Sequence, residues 1–289
     1  MIQGSISLIS SRQPMTTTTS STVQTPDGLT LVGGHHVPAE ARARVVLIHG
    51  YAEHAGRYAE VIAGLTAAGF ECHTLDLRGH GRSEGVRGHV MRFEDYLADV
   101  DLFLESLPGT RLPRLLVGHS LGGLISLRYV LHRPDAFGAL AVTSPFLLPA
   151  MPVPWLKETL ANAVSRVAPT FLLDSEIDAR GLSHDPAIVE AYVADPMVFK
   201  TVNPRWFFEV RKVQDEILAR AGEIRLPTLF LLGGADPIAQ PERGRQVFER
   251  LGSADKRLRV YDGLFHEVLN EVERARVLRD LLDWLGEHV

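Results

Sequence analysis

A layered α/β fold is what this 289-residue sequence predicts: a mostly parallel central sheet flanked by helices, with a helical cap inserted near the middle. Three observations carry that expectation. Short Val/Leu/Ile runs recur along the chain, and continuous apolar runs suit strands covered on both faces. Segments with helical apolar spacing alternate with those runs, which is the signature of a parallel sheet. From Pro145 to about Ile224 the alternation stops, and only helical stripes punctuated by prolines remain.

The elements follow in order. Residues 1–20 read as a disordered tail, with Met15 offering a second start. The core is expected over 21–144 and 225–289, and the cap over 145–224. V-Q-T-P-D-G-L-T-L-V-G-G-H-H predicts two strands around a Pro-Asp-Gly turn. A-R-V-V-L-I-H-G predicts a buried strand, and Tyr58 to Ala68 a helix with Val61, Ile62 and Leu65 on one face. E-C-H-T-L-D-L is a second buried strand, followed by a helix from Phe93 to Leu107. R-L-L-V-G, A-L-A-V-T, L-P-T-L-F-L-L-G and R-L-R-V-Y supply four more strands. Leu121 to His132 and Glu271 to Val289 read as helices. Within the cap the stripes are Leu156, Leu160, Val164 and Val167, then Trp206, Val210, Val213 and Ile217.

Composition narrows the function classes. A formal charge of -5 with scattered Lys and Arg disfavours a nucleic-acid partner. The single cysteine, Cys72, rules out an intrachain disulfide and reads as a buried small hydrophobe. No apolar run reaches the roughly 18 residues of a membrane span. The N-terminus lacks the charged start of a signal peptide, so a cytoplasmic place is expected. The apolar stretch Phe146, Leu147, Leu148, Met151, Val153, Trp155 and Leu156 stands open to three readings: an acyl-chain wall, a peripheral membrane contact, or packing inside the cap. Oligomeric state is not encoded in any pattern seen here.

Two segments fit G-x-S-x-G, around Ser83 and around Ser120. The motif alone is weak, with roughly 0.1 chance matches in a chain of this length. Context decides between them. A nucleophile elbow needs a strand before the serine and a helix directly after it. Ser120 has both, whereas Ser83 sits in a polar glycine-rich loop. A serine hydroxyl also needs a base, and the base an orienting acid. His266 follows the last expected strand, where the base belongs. His184 falls in the cap and His288 beside the C-terminus. Asp236 follows the preceding strand and is the candidate acid, with Asp262 and Glu267 as weaker rivals. The backbone N–H groups of Leu121 and Tyr51 are the expected oxyanion donors. This chemistry calls for no cofactor, and the histidines show no metal spacing such as H-E-x-x-H.

H-G-Y-A-E-H-A-G-R-Y, D-L-R-G-H-G-R-S-E-G, G-H-S-L-G-G, L-S-H-D-P, G-G-A-D-P and F-H-E-V-L-N-E together resemble the monoacylglycerol lipase and lysophospholipase branch of the α/β-hydrolases, a serine aminopeptidase S33-like group. The resemblance runs from about Thr25 to the C-terminus. It implies Ser120, Asp236 and His266 as the triad, Tyr51 and Leu121 as the oxyanion hole, and a cap over an apolar acyl channel. It implies a monoacylglycerol or another single-chain ester as substrate, with lysophospholipase, carboxylesterase and thioesterase as alternatives, and outside enzymes a ligand-binding protein on the same scaffold. Phe146 and Leu147 are expected in the substrate wall. Glu53 and Arg57 match residues lining the family's glycerol pocket, and a surface ion pair is the equal alternative. The family's further pocket histidine is missing, because Leu269 stands there, and Tyr51 replaces a smaller residue.

Overall fold

The computed structural model describes residues 16–151, 155–175 and 177–289, and the side chains of these except 155–158. The chain opens with a hairpin, β1 (Thr16–Gln24) and β2 (Thr30–Pro38), and continues with β3 (Ala43–Ile48), α1 (Ala59–Ala67), β4 (Phe70–Leu75), α2 (Glu94–Ser106), β5 (Arg114–His119), α3 (Leu121–His132) and β6 (Ala139–Thr143). The insertion carries α4 (Trp155–Val167), β7 (Leu173–Asp174), α5 (Pro186–Ala194), β8 (Thr201–Val202) and α6 (Pro204–Arg220). The core then resumes with β9 (Thr228–Gly233), α7 (Pro241–Arg250), β10 (Lys256–Tyr261) and α8 (Arg274–Gly286).

Eight strands form one sheet in the order β1-β2-β4-β3-β5-β6-β9-β10. From β4 to β10 the pairs are parallel, and β2 joins β4 antiparallel. The strand faces alternate with period two. Val46, Ile48, Leu116, Val142 and Phe230 face one apolar layer with α2, α3, α6 and α7. Val45, Leu47, Val117, Ala141 and Leu231 face the other, with α1 and α8. That double burial is why these strands read as continuous apolar runs. The topology is that of an α/β-hydrolase.

Four expectations change. Thr16–Ser20 were expected in the tail but pair with Gly34–Pro38 as the outer part of β1. The run T-T-T-T-S-S is polar, yet β-branched threonines fit an exposed edge strand. Residues 1–15, the rest of the expected tail, lie outside the described residues, as does Val153. The side chains of Trp155 and Leu156 do so too. The insertion also contains a two-stranded ribbon, β7 with β8, where no strand was expected. Finally α6 belongs partly to the core: Val210, Val213 and Ile217 are buried in the same cluster as α3. α7, which begins on Pro241, was not anticipated; a proline at the first helical position is favourable there because its missing N–H would be unpaired anyway.

α8 shows how a single stripe closes a layer. Val277, Leu281, Trp284 and Leu285 lie at helical spacing and are all fully buried against α1 and the sheet. Leu281→Ala is expected to lower the unfolding free energy by about 2–5 kcal/mol through lost burial and the cavity left behind. Chemical denaturation with a fixed m-value checks it, and an unchanged midpoint would contradict this packing.

Candidate active site

β5 ends at His119 and α3 begins at Leu121, so Ser120 alone makes the turn between them. Its backbone sits at φ 52°, ψ -114°, a region that side-chain-bearing residues rarely adopt. Glycines on either side make the turn feasible. A Cβ on Gly118 would collide with Gly122 O, and one on Gly122 would collide with Ile48 O of β3. Ser120 N–H donates to Thr143 O on β6 (3.0 Å), and Ser120 O accepts from Leu124 N (3.0 Å) and Phe146 N (2.9 Å). The strained residue is thus pinned from β3, β6, α3 and the start of the insertion.

The structure brings together the three side chains the sequence singled out. Asp236 follows β9 and His266 follows β10. Asp236 Oδ1 accepts from the backbone N–H groups of Ile238 (2.8 Å) and Ala239 (2.9 Å), which fixes the carboxylate. Its Oδ2 lies 2.7 Å from His266 Nδ1, and His266 Nε2 lies 2.9 Å from Ser120 Oγ. A carboxylate only accepts, so Nδ1 carries the proton and Nε2 is left to accept from the serine hydroxyl. All three residues are buried. Burial by itself would lower the histidine's pKa. The charges of Asp236, Glu267 and Glu53 outweigh it, and the imidazole titrates above its ordinary value. The neighbouring His119, its ring centroid 4.9 Å away, goes the other way: burial pushes it down to about 4.

The rival residues lie elsewhere. Ser83 is buried in its loop, donating to Asp76 O (2.5 Å) and accepting from Val32 N (2.9 Å). Asp262 is exposed, and Glu267 binds Arg57 rather than His266. His288 pairs with Asp255 at the end of α8. Leu121, as the first residue of α3, has no helical partner for its N–H. Among the described residues neither that N–H nor the Tyr51 N–H has a hydrogen-bond partner. The Tyr51 ring packs on Trp206, and its hydroxyl donates to Thr201 O (3.0 Å) in the insertion.

Ser120 and His266 open onto a cavity of about 1070 Å³. This is just above the roughly 300–1,000 Å³ usual for ligand sites. Phe146, Leu160, Val164, Phe171, Trp206 and Phe207 make much of its wall, Phe146 from the start of the insertion and the others from α4, α6 and the segment after α4. Leu147 does not reach it and packs instead into the core, 1% exposed. Glu53 lines the cavity, but Arg57 does not. Nor is their pair on the surface: both side chains are buried, and Arg57 bridges Glu53 and Glu267.

Glu271 was not singled out by any pattern. It is fully buried and accepts from Phe265 N (2.8 Å), Val272 N (2.9 Å), His184 N (3.1 Å) and His184 Nδ1 (2.7 Å). It therefore ties L-S-H-D-P of the insertion to the loop that carries His266. Glu267 N–H adds a bond to Leu182 O (2.8 Å). The only trace in the sequence was that both motifs are distinctive; nothing local says that they meet.

These environments predict two separated titrations. In NMR spectra of the imidazoles, His266 should gain its proton with a midpoint above pH 6.5, and His119 should stay neutral until about pH 4. A single shared midpoint near 6.5 would contradict the assignment of their surroundings.

Comparison with known proteins agrees with the geometry. The family model described as "Serine aminopeptidase, S33" matches residues 39–273. A monoacylglycerol lipase of Mycolicibacterium smegmatis is 34% identical over 253 residues, covering 86% of this chain and 90% of that protein. The crystal structure of a Paleococcus ferrophilus monoacylglycerol lipase superposes with a TM-score of 0.82 at 32% identity, over 94% of this chain and 100% of the other. An uncharacterized abhydrolase domain-containing protein of Dictyostelium discoideum is 32% identical over 86% of this chain, which spans about a quarter (26%) of that longer protein. On the strength of the matched region, which takes in most of its length, the chain belongs to the Serine aminopeptidase, S33 family of α/β-hydrolases.

Proposed function

We propose that this chain is a carboxylic ester hydrolase of the monoacylglycerol lipase type, releasing a fatty acid and glycerol through an acyl-enzyme. One observation carries the reading: the continuous Ser120–His266–Asp236 hydrogen-bond chain stands at the wall of a large, mostly apolar cavity. Similarity to monoacylglycerol lipases over nearly the whole chain supports the substrate class.

The steps follow from the geometry. Ser120 Oγ attacks the ester carbonyl while His266 Nε2 takes its proton. Asp236 holds the imidazole in the required tautomer and stabilises the cation that forms. The carbonyl oxygen becomes an oxyanion, for which the N–H groups of Leu121 and Tyr51 are the donors. His266 returns the proton to the leaving alcohol. Water then repeats the attack on the acyl-enzyme with the same base, freeing the acid and Ser120. The acyl chain lies along Phe146, Leu160 and Trp206, and the insertion acts as a cap that shields it from water.

Purified protein should hydrolyse 1-monoacylglycerols, and Ser120→Ala should lose at least about 10³-fold in kcat. A fluorophosphonate probe should label the wild type on Ser120 and spare the variant. Full activity in Ser120→Ala would overturn the proposal. A wild type that binds esters without cleaving any would favour a binding protein. Lysophosphatidylcholine assayed alongside ranks the lysophospholipase alternative.

We also propose that the cap meets lipid surfaces. Met151, Leu160, Val167, Phe171 and Leu172 are 36–84% exposed on the insertion, and Met151, Leu160 and Phe171 also line the cavity. No helix among the described residues is long and apolar enough to cross a membrane, so such contact would be peripheral. The wild type should co-float with phosphatidylcholine vesicles, and Val167→Asp with Leu172→Asp should float several-fold less. Absence of wild-type flotation, with and without substrate, would rule the contact out.

A further inference from the structure

The polar end of the cavity has a charge imbalance set by three buried side chains. Glu53 Oε1 accepts from Gly50 N–H (2.7 Å) and Tyr58 OH (2.7 Å). Its Oε2 takes Arg57 Nη1 at 2.7 Å. The same Nη1 donates to Glu267 Oε1 (2.6 Å), and Nη2 donates to Oε2 (2.8 Å). Asn270 Nδ2 completes the cage on Glu267 (2.9 Å), and the Tyr192 ring covers the guanidinium at 4.8 Å. Both carboxylates are almost fully buried. One arginine thus serves two acids, and the cluster keeps a net negative charge.

That charge sits beside the reacting groups. Glu267 follows His266 in the chain. A Cβ on Gly50 would lie 2.7 Å from Glu53 Oε1 and 3.3 Å from Ser120 Cβ, so carboxylate and nucleophile flank one small space. Around the whole cavity the described lining includes Glu53, Asp174, Asp178 and Glu267, and no lysine or arginine. Among the described residues the guanidinium beside these carboxylates is sequestered: Arg57 spends its fork on Glu267 and does not line the cavity. Burial would neutralise Glu53, but Arg57 prevails and holds it well below the usual carboxylate range, so it is ionised at neutral pH.

We infer that Glu267 determines leaving-group specificity: by occupying Arg57 it leaves the alcohol end of the site negative, so esters of neutral alcohols are accepted and esters of phosphorylated, anionic alcohols are rejected. The inference rests on the ester hydrolase reading and deepens it. Like charge brought into a site of low polarity, with no cation to meet it, is costly, and rejection by an unpaired charge is a general route to specificity. The same charge favours the protonated form of His266.

The test compares two esters that differ by one phosphate, 1-octanoylglycerol and 1-octanoylglycerol 3-phosphate, both held below their micellar concentrations. For the wild type, kcat/KM on the phosphate should be lower by about tenfold or more. Glu267→Gln should narrow the gap by about tenfold and move the acid limb of kcat/KM for the neutral ester to lower pH. Glu267→Asp, which keeps the charge, should keep most of the gap. Where melting curves show that Glu267→Gln does not fold, Glu53→Gln removes the same unit of charge and should narrow the gap likewise. Equal wild-type rates on the two esters would overturn this inference while leaving the hydrolase reading intact. A gap unmoved by either amide variant would remove the carboxylate cluster from the explanation. No turnover of either ester would instead be a failure of the hydrolase reading itself.

Discussion

The close approach of α3 to β3 beneath Ser120 is the constraint on which the site depends. Gly118 and Gly122 let helix and strand meet where no Cβ would fit. The serine between them is held in a backbone conformation that costs on the order of 1–3 kcal/mol. The surrounding sheet overdetermines it, through Thr143 O on β6 and the packing against β3. Sheet order does the rest. β3 lies beside β5, so the loop bearing Tyr51 flanks the serine. β9 and β10 end on the same edge of the sheet, and their loops deliver Asp236 and His266 to one face of it.

Electrostatics ties this mechanical frame to the chemistry. His266 is buried, which alone would make it a weak base, and Asp236 with the two carboxylates around Arg57 restores its basicity. His119, a few ångströms away and hydrogen-bonded to Thr143 Oγ1 (2.9 Å), stays neutral. Two histidines of one site are thereby set apart by their partners rather than by their depth. The glutamate pair around Arg57 thus has two consequences, one for the base and one for the charge that a leaving group meets.

The insertion is joined to the catalytic edge rather than merely resting over it. Tyr51 OH reaches Thr201 O, His54 Nε2 reaches Asp195 Oδ2 at 2.8 Å, and Glu271 holds His184 and Phe265 together. α6 goes further and packs into the core layer beside α3. Among the described residues of the insertion, the more exposed apolar ones are concentrated in the part from Met151 to Ile177, which also supplies much of the cavity lining. One segment thus combines an anchored base with an apolar rim.

What the sequence determined by itself was carried by local pattern. Doubly buried strands announced themselves as Val/Leu/Ile runs, and Ser120 was separable from Ser83 because strand and helix signals flank only one of them. The chain order of Asp236 and His266 against the strands pointed to two side chains that the fold joins to Ser120 in one hydrogen-bond chain. Tertiary structure decided what depends on partners distant in the chain. Thr16–Ser20 looked unstructured because a polar Thr/Ser run shows no apolar alternation, and only their pairing with Gly34–Pro38 of β2 reveals how far the hairpin extends. Leu147 and Phe146 are neighbours of similar character, yet only Phe146 faces the cavity, a matter of which way the chain turns after β6. Arg57 and Glu267 are 210 residues apart, and only folding makes them one ion pair. Apolar periodicity records burial, which is averaged over many neighbours; a single polar contact between distant residues leaves no period to read.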